Sequence, residues 1–173
     1  MGNLTLRINT LSELLGIIQR IHIESYELAF ETYDRIFDNS GNIGVFTHFD
    51  DEYKYLKNAE RMVSKVSDDP SIKYFELIDP INMPSIKNFP EVSYTHLYLR
   101  KPDSSEYGNH YGHIDFNVNV TELKEMLKGI KKNTNQSIYK YGELEMIELR
   151  NEKYNSLAYI NTPEIAKSIR KRL

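Results

Sequence analysis

Histidine, aspartate and asparagine side chains alternate with apolar ones along one stretch of this sequence, from His113 to Val120. Every second side chain of a β-strand points to the same face, so His113, Asp115, Asn117 and Asn119 would lie together. Imidazole nitrogens and carboxylate oxygens are ligands of divalent metals, and a strand holds them rigidly. The stretch therefore indicates a candidate site on one face of a sheet.

Two further segments present a histidine in the same way. His96, Tyr98 and Arg100 share one face of residues 93–100, and His48 and Asp50 fall on one face at the end of residues 43–49. If these strands are neighbours, their polar faces line one concavity. We predict that a divalent metal (zinc, nickel or manganese) is bound there and that a small-molecule ligand lies beside it. The predicted metal ligands are His48, His96 and His113, and the predicted substrate-binding residues are Tyr98, Arg100, Asp115 and Asn117.

A second interpretation needs no metal. Antiparallel sheets often leave one face in contact with water, and a wet face also carries histidine, aspartate and asparagine. The positions 48, 96 and 113 match no local metal motif. The sequence also has no Walker sequence, no GxGxxG, no GxSxG and no HExxH, so nucleotide-loop, hydrolase-elbow and zincin interpretations have no support.

Length and composition limit the protein class. A chain of 173 residues with 40% hydrophobic content is expected to form a single domain over residues 1–173. The 22 basic and 25 acidic residues leave a net charge of -3, which does not favour nucleic-acid or membrane-surface binding. No cysteine is present, which excludes disulfides and thiolate metal sites. No signal-like start or apolar run of roughly 18 residues occurs, so we expect a cytoplasmic protein.

Hydrophobic spacing predicts the elements that would position the site. A capping box of Thr10 and Glu13 begins a helical region at 11–37, expected to pack on the sheet through Leu14, Ile18 and Phe30. Further helices are predicted from Asp50 to about Val66, from Thr121 to about Lys131, and from Thr162-Pro163 onward. Strands are predicted near 43–49, 72–78, 93–100, 113–120, 143–150 and 154–160. The expected class is α+β, a mixed sheet containing a βαβββ unit at about 43–120, with an N-terminal helical region and a C-terminal helix.

Two segments of this unit resemble a known superfamily. They are Tyr94-Thr95-His96-Leu97-Tyr98-Leu99-Arg100-Lys101-Pro102-Asp103 and Tyr111-Gly112-His113-Ile114-Asp115-Phe116. With the segment order, they resemble the vicinal-oxygen-chelate superfamily of glyoxalases and bleomycin-resistance proteins, and are most similar to its small YecM-like branch. The resemblance implies that His113 and His48 match metal-ligand positions. Tyr98 stands where the family usually has Glu, so His96, Asp115 or Glu76 would have to complete the ligand set.

Three functional interpretations remain open from the sequence. The first is a glyoxalase-like, metal-assisted enzyme performing isomerase or lyase chemistry on a small carbonyl or enediolate substrate. The second is a non-catalytic protein that binds a small ligand on the same concave face. The third is a protein whose sheet edge or tyrosine-rich surface forms a homodimer, which is compatible with either of the others.

Overall fold

Four helices and one seven-stranded sheet form the part of the chain that the computed structural model describes, residues 7–105, 107, 109–130 and 134–172. This is the predicted α+β class, with a helix near each end. Within these residues no helix combines the length and the apolar character that crossing a bilayer requires. The helices are α1 (Leu11–Tyr33), α2 (Asp50–Val63), α3 (Val120–Gly129) and α4 (Pro163–Ser168); the strands are β1 (Asp38–Phe46), β2 (Phe75–Met83), β3 (Val92–Arg100), β4 (Gly112–Asn117), β5 (Gln136–Tyr141), β6 (Leu144–Leu149) and β7 (Ser156–Asn161).

The strands lie in the order β2-β3-β1-β4-β7-β6-β5. The pairs β1/β3 and β4/β7 are parallel, and the other four pairs are antiparallel. The chain order β1, α2, β2, β3, β4 is the predicted βαβββ arrangement. β1 and β4 are adjacent near the centre of the sheet, and most of their side chains are buried. The predicted polar strand is therefore largely buried and is not an open, solvent-exposed face.

Helix α1 covers one face of the sheet. Its capping box forms as predicted: the Thr10 hydroxyl accepts from the Glu13 amide at 3.1 Å, and the Glu13 carboxylate accepts from the Thr10 amide at 2.9 Å. Leu14 and Ile18 are buried as predicted, but Phe30 is 41% exposed. The aromatic side chain by which α1 packs on the sheet is instead the fully buried Tyr26, whose ring lies 4.8 Å from that of Phe116 on β4. The helix ends at Tyr33 because Asp34 adopts a left-handed conformation.

Other boundaries differ from prediction for local reasons. Strand β4 ends at Asn117 and not at Val120, because Asn119 caps α3 by accepting from the Glu122 amide at 2.9 Å. The strand predicted at 72–78 is observed as β2, which runs through Pro80 at a sheet edge, where a missing amide donor is tolerated. Strand β5 was not predicted. It is polar and lies at the other edge, where hydrophobic alternation is weak.

Replacing Phe116 by Ala is expected to lower the free energy of unfolding by about 3–5 kcal/mol. Its fully buried ring lies 4.8 Å from that of Tyr26 and 5.8 Å from that of Phe37, so truncation leaves a cavity between α1 and β4. The control is Ile138→Ala on edge strand β5, where the side chain is 46% exposed; its loss should be about 0.5 kcal/mol or less. Urea denaturation measures both, and similar losses would contradict this account of the core.

Candidate functional site

The sheet face opposite α1 carries a cavity of about 310 Å³. Side chains of β4 alternate, so that Ile114 and Phe116 belong to the core that contains α1, whereas His113 and Asp115 line the cavity. The same alternation places Tyr139 and Tyr141 of β5 together. Six tyrosines line the cavity, Tyr74, Tyr98, Tyr107, Tyr139, Tyr141 and Tyr159, together with the charged residues Lys73, Arg100, Lys101, Asp103 and Asp115.

His113 lies flat against the adjacent strand. A Cβ atom on Gly44 of β1 would come within 2.2 Å of His113 Cε1, so only glycine permits this approach. The His113 Nε2 atom is 2.7 Å from the hydroxyl of Tyr74. Burial, with smaller contributions from Lys73 and Arg100, lowers the pKa of His113 to about 3. The imidazole is therefore neutral at physiological pH.

Asp115 is fully buried in the cavity wall. Its Oδ2 atom accepts a hydrogen bond of 3.0 Å from the amide of Asn42, while its Oδ1 atom has no hydrogen-bond partner among the described residues. Burial raises the pKa of Asp115 to about 7, against the opposing effects of Asn42, Lys73 and Arg170. The carboxyl group can therefore either hold or accept a proton near neutral pH.

Basic groups give the cavity a surplus of positive charge. The Lys73 ammonium lies 4.4 Å from the ring centroid of Tyr141 and 5.0 Å from that of Tyr98. Arg100 is paired with Asp103 at 2.8 Å. Lys73 and Lys101 have no carboxylate partner among the described residues. A cavity with this balance favours an anionic ligand.

The predicted site residues divide into two groups. His113, Tyr98, Arg100 and Asp115 line the cavity together, but His48, His96 and Asn117 do not. His48 follows the end of β1, where its amide donates to Glu52 at 2.6 Å and its ring lies 6.4 Å from that of Tyr111. His96 is directed to Thr95, whose hydroxyl is 2.9 Å from its Nδ1 atom, and it pairs across the sheet with Glu76. Asn117 pairs with Asp38 and Asn161 at the end of β4.

The described residues include no ready-made cluster of ligands for the metal that the family resemblance implies. Among residues 7–105, 107, 109–130 and 134–172, no group of three or more His, Cys, Asp or Glu side chains could hold a metal ion. The Nε2 atom of His113 is already bonded to Tyr74, and Tyr98 supplies no carboxylate. The metal site predicted from His48, His96 and His113 thus remains a prediction without a matching arrangement of ligands.

Several residues of the cavity were not predicted from the sequence. Lys73 and Tyr74 reach it from the segment before β2, where their amides both donate to the carbonyl of Arg170, at 2.8 and 3.0 Å. Asn42 does not line the cavity, but its side-chain amide donates a hydrogen bond to Asp115, which does. Tyr139 and Tyr141 lie two residues apart, the spacing at which a strand places side chains on one face, but the polar residues around them gave no strand prediction. No local sequence pattern predicts that Lys73 lines the cavity, because its backbone is positioned by the distant segment that follows α4.

Comparisons with known proteins leave the family open. No protein-family model and no curated protein sequence matches the chain. A solved structure, the structural-genomics protein EC4020, is similar over 96% of this chain and 99% of its own, with 13% sequence identity and a TM-score of 0.49. That level of similarity assigns neither family nor function.

Replacing Asp115 by Asn should stabilise the protein in a pH-dependent way. Folding raises the pKa of Asp115 from 3.8 to about 7. Below pH 3.8 the carboxyl group is protonated in both the folded and the unfolded state, and its burial costs no ionisation energy. As the pH rises from 3.8 through about 7, the unfolded state ionises first and the wild-type protein loses stability. Asn does not ionise. The gain over wild type should therefore grow between pH 4 and 7 and reach as much as about 4 kcal/mol above pH 7.

Urea denaturation at pH 5, 6, 7 and 8 measures this difference. The control is Asp79→Asn, at an exposed position of β2, which should follow the wild-type curve closely. A difference between D115N and wild type that shrinks with rising pH would contradict the raised pKa of Asp115.

Proposed function

We propose that this protein is an enzyme that transfers a proton on a small anionic carbonyl compound, which is chemistry of the isomerase or lyase type. The observation that supports it best is Asp115, a buried carboxyl group in the wall of a cavity. One of its oxygens is held by Asn42 and the other has no partner among the described residues. Buried carboxyl groups with displaced pKa values occur preferentially at functional sites.

The cavity suits a small anion. Its volume of about 310 Å³ is at the lower end of the range for small-molecule sites. Lys73, Arg100 and Lys101 lie along its wall and would attract a carboxylate. Tyrosine rings supply apolar contact, and their hydroxyl groups supply hydrogen bonds that fix the orientation of the ligand.

Asp115 would act as the general base. Its Oδ1 atom takes a proton from the carbon beside the substrate carbonyl, the electron pair of that C–H bond forms a carbon–carbon double bond, and the carbonyl π pair moves to oxygen. A base with a pKa of about 7 is well matched to this task at neutral pH. Basic side chains and tyrosine hydroxyls along the wall would stabilise the oxyanion.

The neutral pair of Tyr74 and His113 supports the same chemistry. Burial raises the pKa of Tyr74 well above its ordinary value, so its hydroxyl stays protonated. Because His113 is also uncharged, the pair adds polar groups to the cavity without a further charge. The negative charge of the substrate would then be balanced by the basic residues.

Hydrogen–deuterium exchange of carbon acids tests the proposal. Pyruvate, 2-oxobutyrate and acetoacetate are incubated separately with the full chain in D₂O, and NMR follows the loss of protons from the carbon beside the carbonyl. At least one should exchange faster with protein, with a rate that rises through pH 7 as Asp115 ionises. D115N should reduce the rate by about 10²–10⁴-fold and still bind the compound. Asp79→Asn is the matched control and should exchange at the wild-type rate.

Other outcomes separate the competing functions. Binding of these compounds without exchange would contradict the enzyme and favour a non-catalytic binding protein. Exchange that is lost with EDTA and restored by zinc, nickel or manganese would favour the metal-assisted reaction over the one proposed. Neither binding nor exchange with any of the three would contradict an anionic carbonyl substrate.

A further inference from the structure

Lys73 occupies an unusual position for a lysine. Its ammonium lies among the rings of Tyr141, Tyr98 and Tyr74, with centroid distances of 4.4, 5.0 and 5.8 Å. No described carboxylate forms an ion pair with it, in contrast to Lys140, which is paired with Glu145 at 2.9 Å. Its amino group is therefore held by aromatic faces and not by a counter-ion.

Lys73 also contributes to the walls of two cavities. Lys73 lines the main cavity, and it lines a second cavity of about 280 Å³ as well. Tyr98 and Tyr141 belong to both walls. A small molecule in the main cavity would therefore lie next to both Lys73 and Asp115, because both line that cavity.

We propose that Lys73 is a nucleophile that condenses with the carbonyl group of the substrate to form an imine. This inference rests on the proposed function, because it concerns the same cavity and the same substrate class. It further requires that the substrate be an aldehyde or ketone, since a carboxylic ester or amide does not form an imine.

Each step of the condensation balances. The lone pair of the neutral Lys73 amine bonds to the carbonyl carbon while the carbonyl π pair moves to oxygen, and one proton passes from nitrogen to that oxygen. A second proton, supplied by the solvent, joins that oxygen, the carbon–oxygen bond breaks and water leaves. The nitrogen lone pair then forms the carbon–nitrogen double bond of a protonated imine. No oxidant or reductant is needed, and hydrolysis reverses the sequence.

An imine would assist the proton transfer by Asp115. A protonated imine attracts electrons more strongly than a carbonyl group does, so the neighbouring C–H bond becomes more acidic. Lys73 would then activate the carbonyl carbon and Asp115 would receive the proton. The two residues lie on different elements, before β2 and on β4, and meet only in the folded chain.

The surroundings of Lys73 favour its reactive form. Burial lowers the pKa of Lys73 below its ordinary 10.5, and Arg100 and Arg172 act in the same direction, whereas Asp115 opposes them. A larger share of the side chain is therefore the neutral amine near pH 8 than for an exposed lysine. The neutral amine is the form that attacks a carbonyl carbon.

Reductive trapping tests the inference. The full chain is incubated with pyruvate and sodium cyanoborohydride, and intact mass and peptide mapping locate the reduced adduct. Lys73 should be modified at least about tenfold faster than Lys140. Acetone, which has the same ketone without the carboxylate, should label Lys73 more slowly. The variants K73R and K73M should lose the rapid adduct, and K140R should retain it.

Deuterium exchange on the same samples separates this inference from the proposed function. Exchange that depends on Asp115, without an adduct at Lys73 and at an unchanged rate in K73M, would overturn the lysine inference and leave the proposed function standing. An adduct at Lys73 without exchange would support the lysine and contradict proton transfer by Asp115. Labelling of the wild-type chain at Lys73 no faster than at Lys140 would overturn the inference even if the Lys73 variants fail to fold.

Discussion

The side-chain amide of Asn42 joins three elements beside the cavity, β1, β4 and α4. From β1 it donates to Asp115 of β4 at 3.0 Å and to the carbonyl of Ala166 in α4 at 2.9 Å, and its oxygen accepts from Arg170 at 2.8 Å. Because the amide is fully buried, each of these bonds replaces one to water. The backbone of Arg170 then holds the segment that carries Lys73. Loss of the Asn42 amide would therefore loosen the segment that carries Lys73.

Burial has opposite consequences for the two polar residues of β4. It removes water from His113 and Asp115 alike and so favours the uncharged form of each, which lowers the pKa of the imidazole and raises that of the carboxyl group. At neutral pH the histidine is uncharged, whereas Asp115 lies close to its midpoint. Desolvation on this scale costs stability, and a fold with no use for a proton would gain from an apolar residue at position 115. This cost is why we place the chemistry at Asp115.

The sheet face opposite α1 is packed largely with tyrosines, whose rings bury apolar area while their hydroxyl groups form hydrogen bonds. Tyr74 and Tyr159 pack with Met146 and Ile169 in a small apolar cluster, while their hydroxyl groups bond to His113 and Glu148. A phenylalanine would bury the same area but leave those groups without partners, and a shorter polar residue would not fill the layer. The core beneath α1 is mostly apolar, although it also buries Tyr94 and His22, whose hydroxyl and Nδ1 atoms are 2.8 Å apart. The cavity lies on the face that carries more polar side chains.

Local spacing in the sequence determined the α+β class, the capping box of α1, and the shared face of His113 and Asp115, because each depends on residues a few positions apart. Contacts between distant segments decided the rest. His96 lies beside Asn42 of β1, His113 lies beside Gly44, and β1 ends before His48. Of these three histidines, which look equivalent in the sequence, His113 alone lines the cavity. Lys73 reaches the cavity from a segment whose backbone is hydrogen-bonded to the chain after α4. Periodicity in the sequence predicts which side chains share a face of one strand. The residues that those side chains contact depend on strand order, register and helix packing, and these are known only from the tertiary structure.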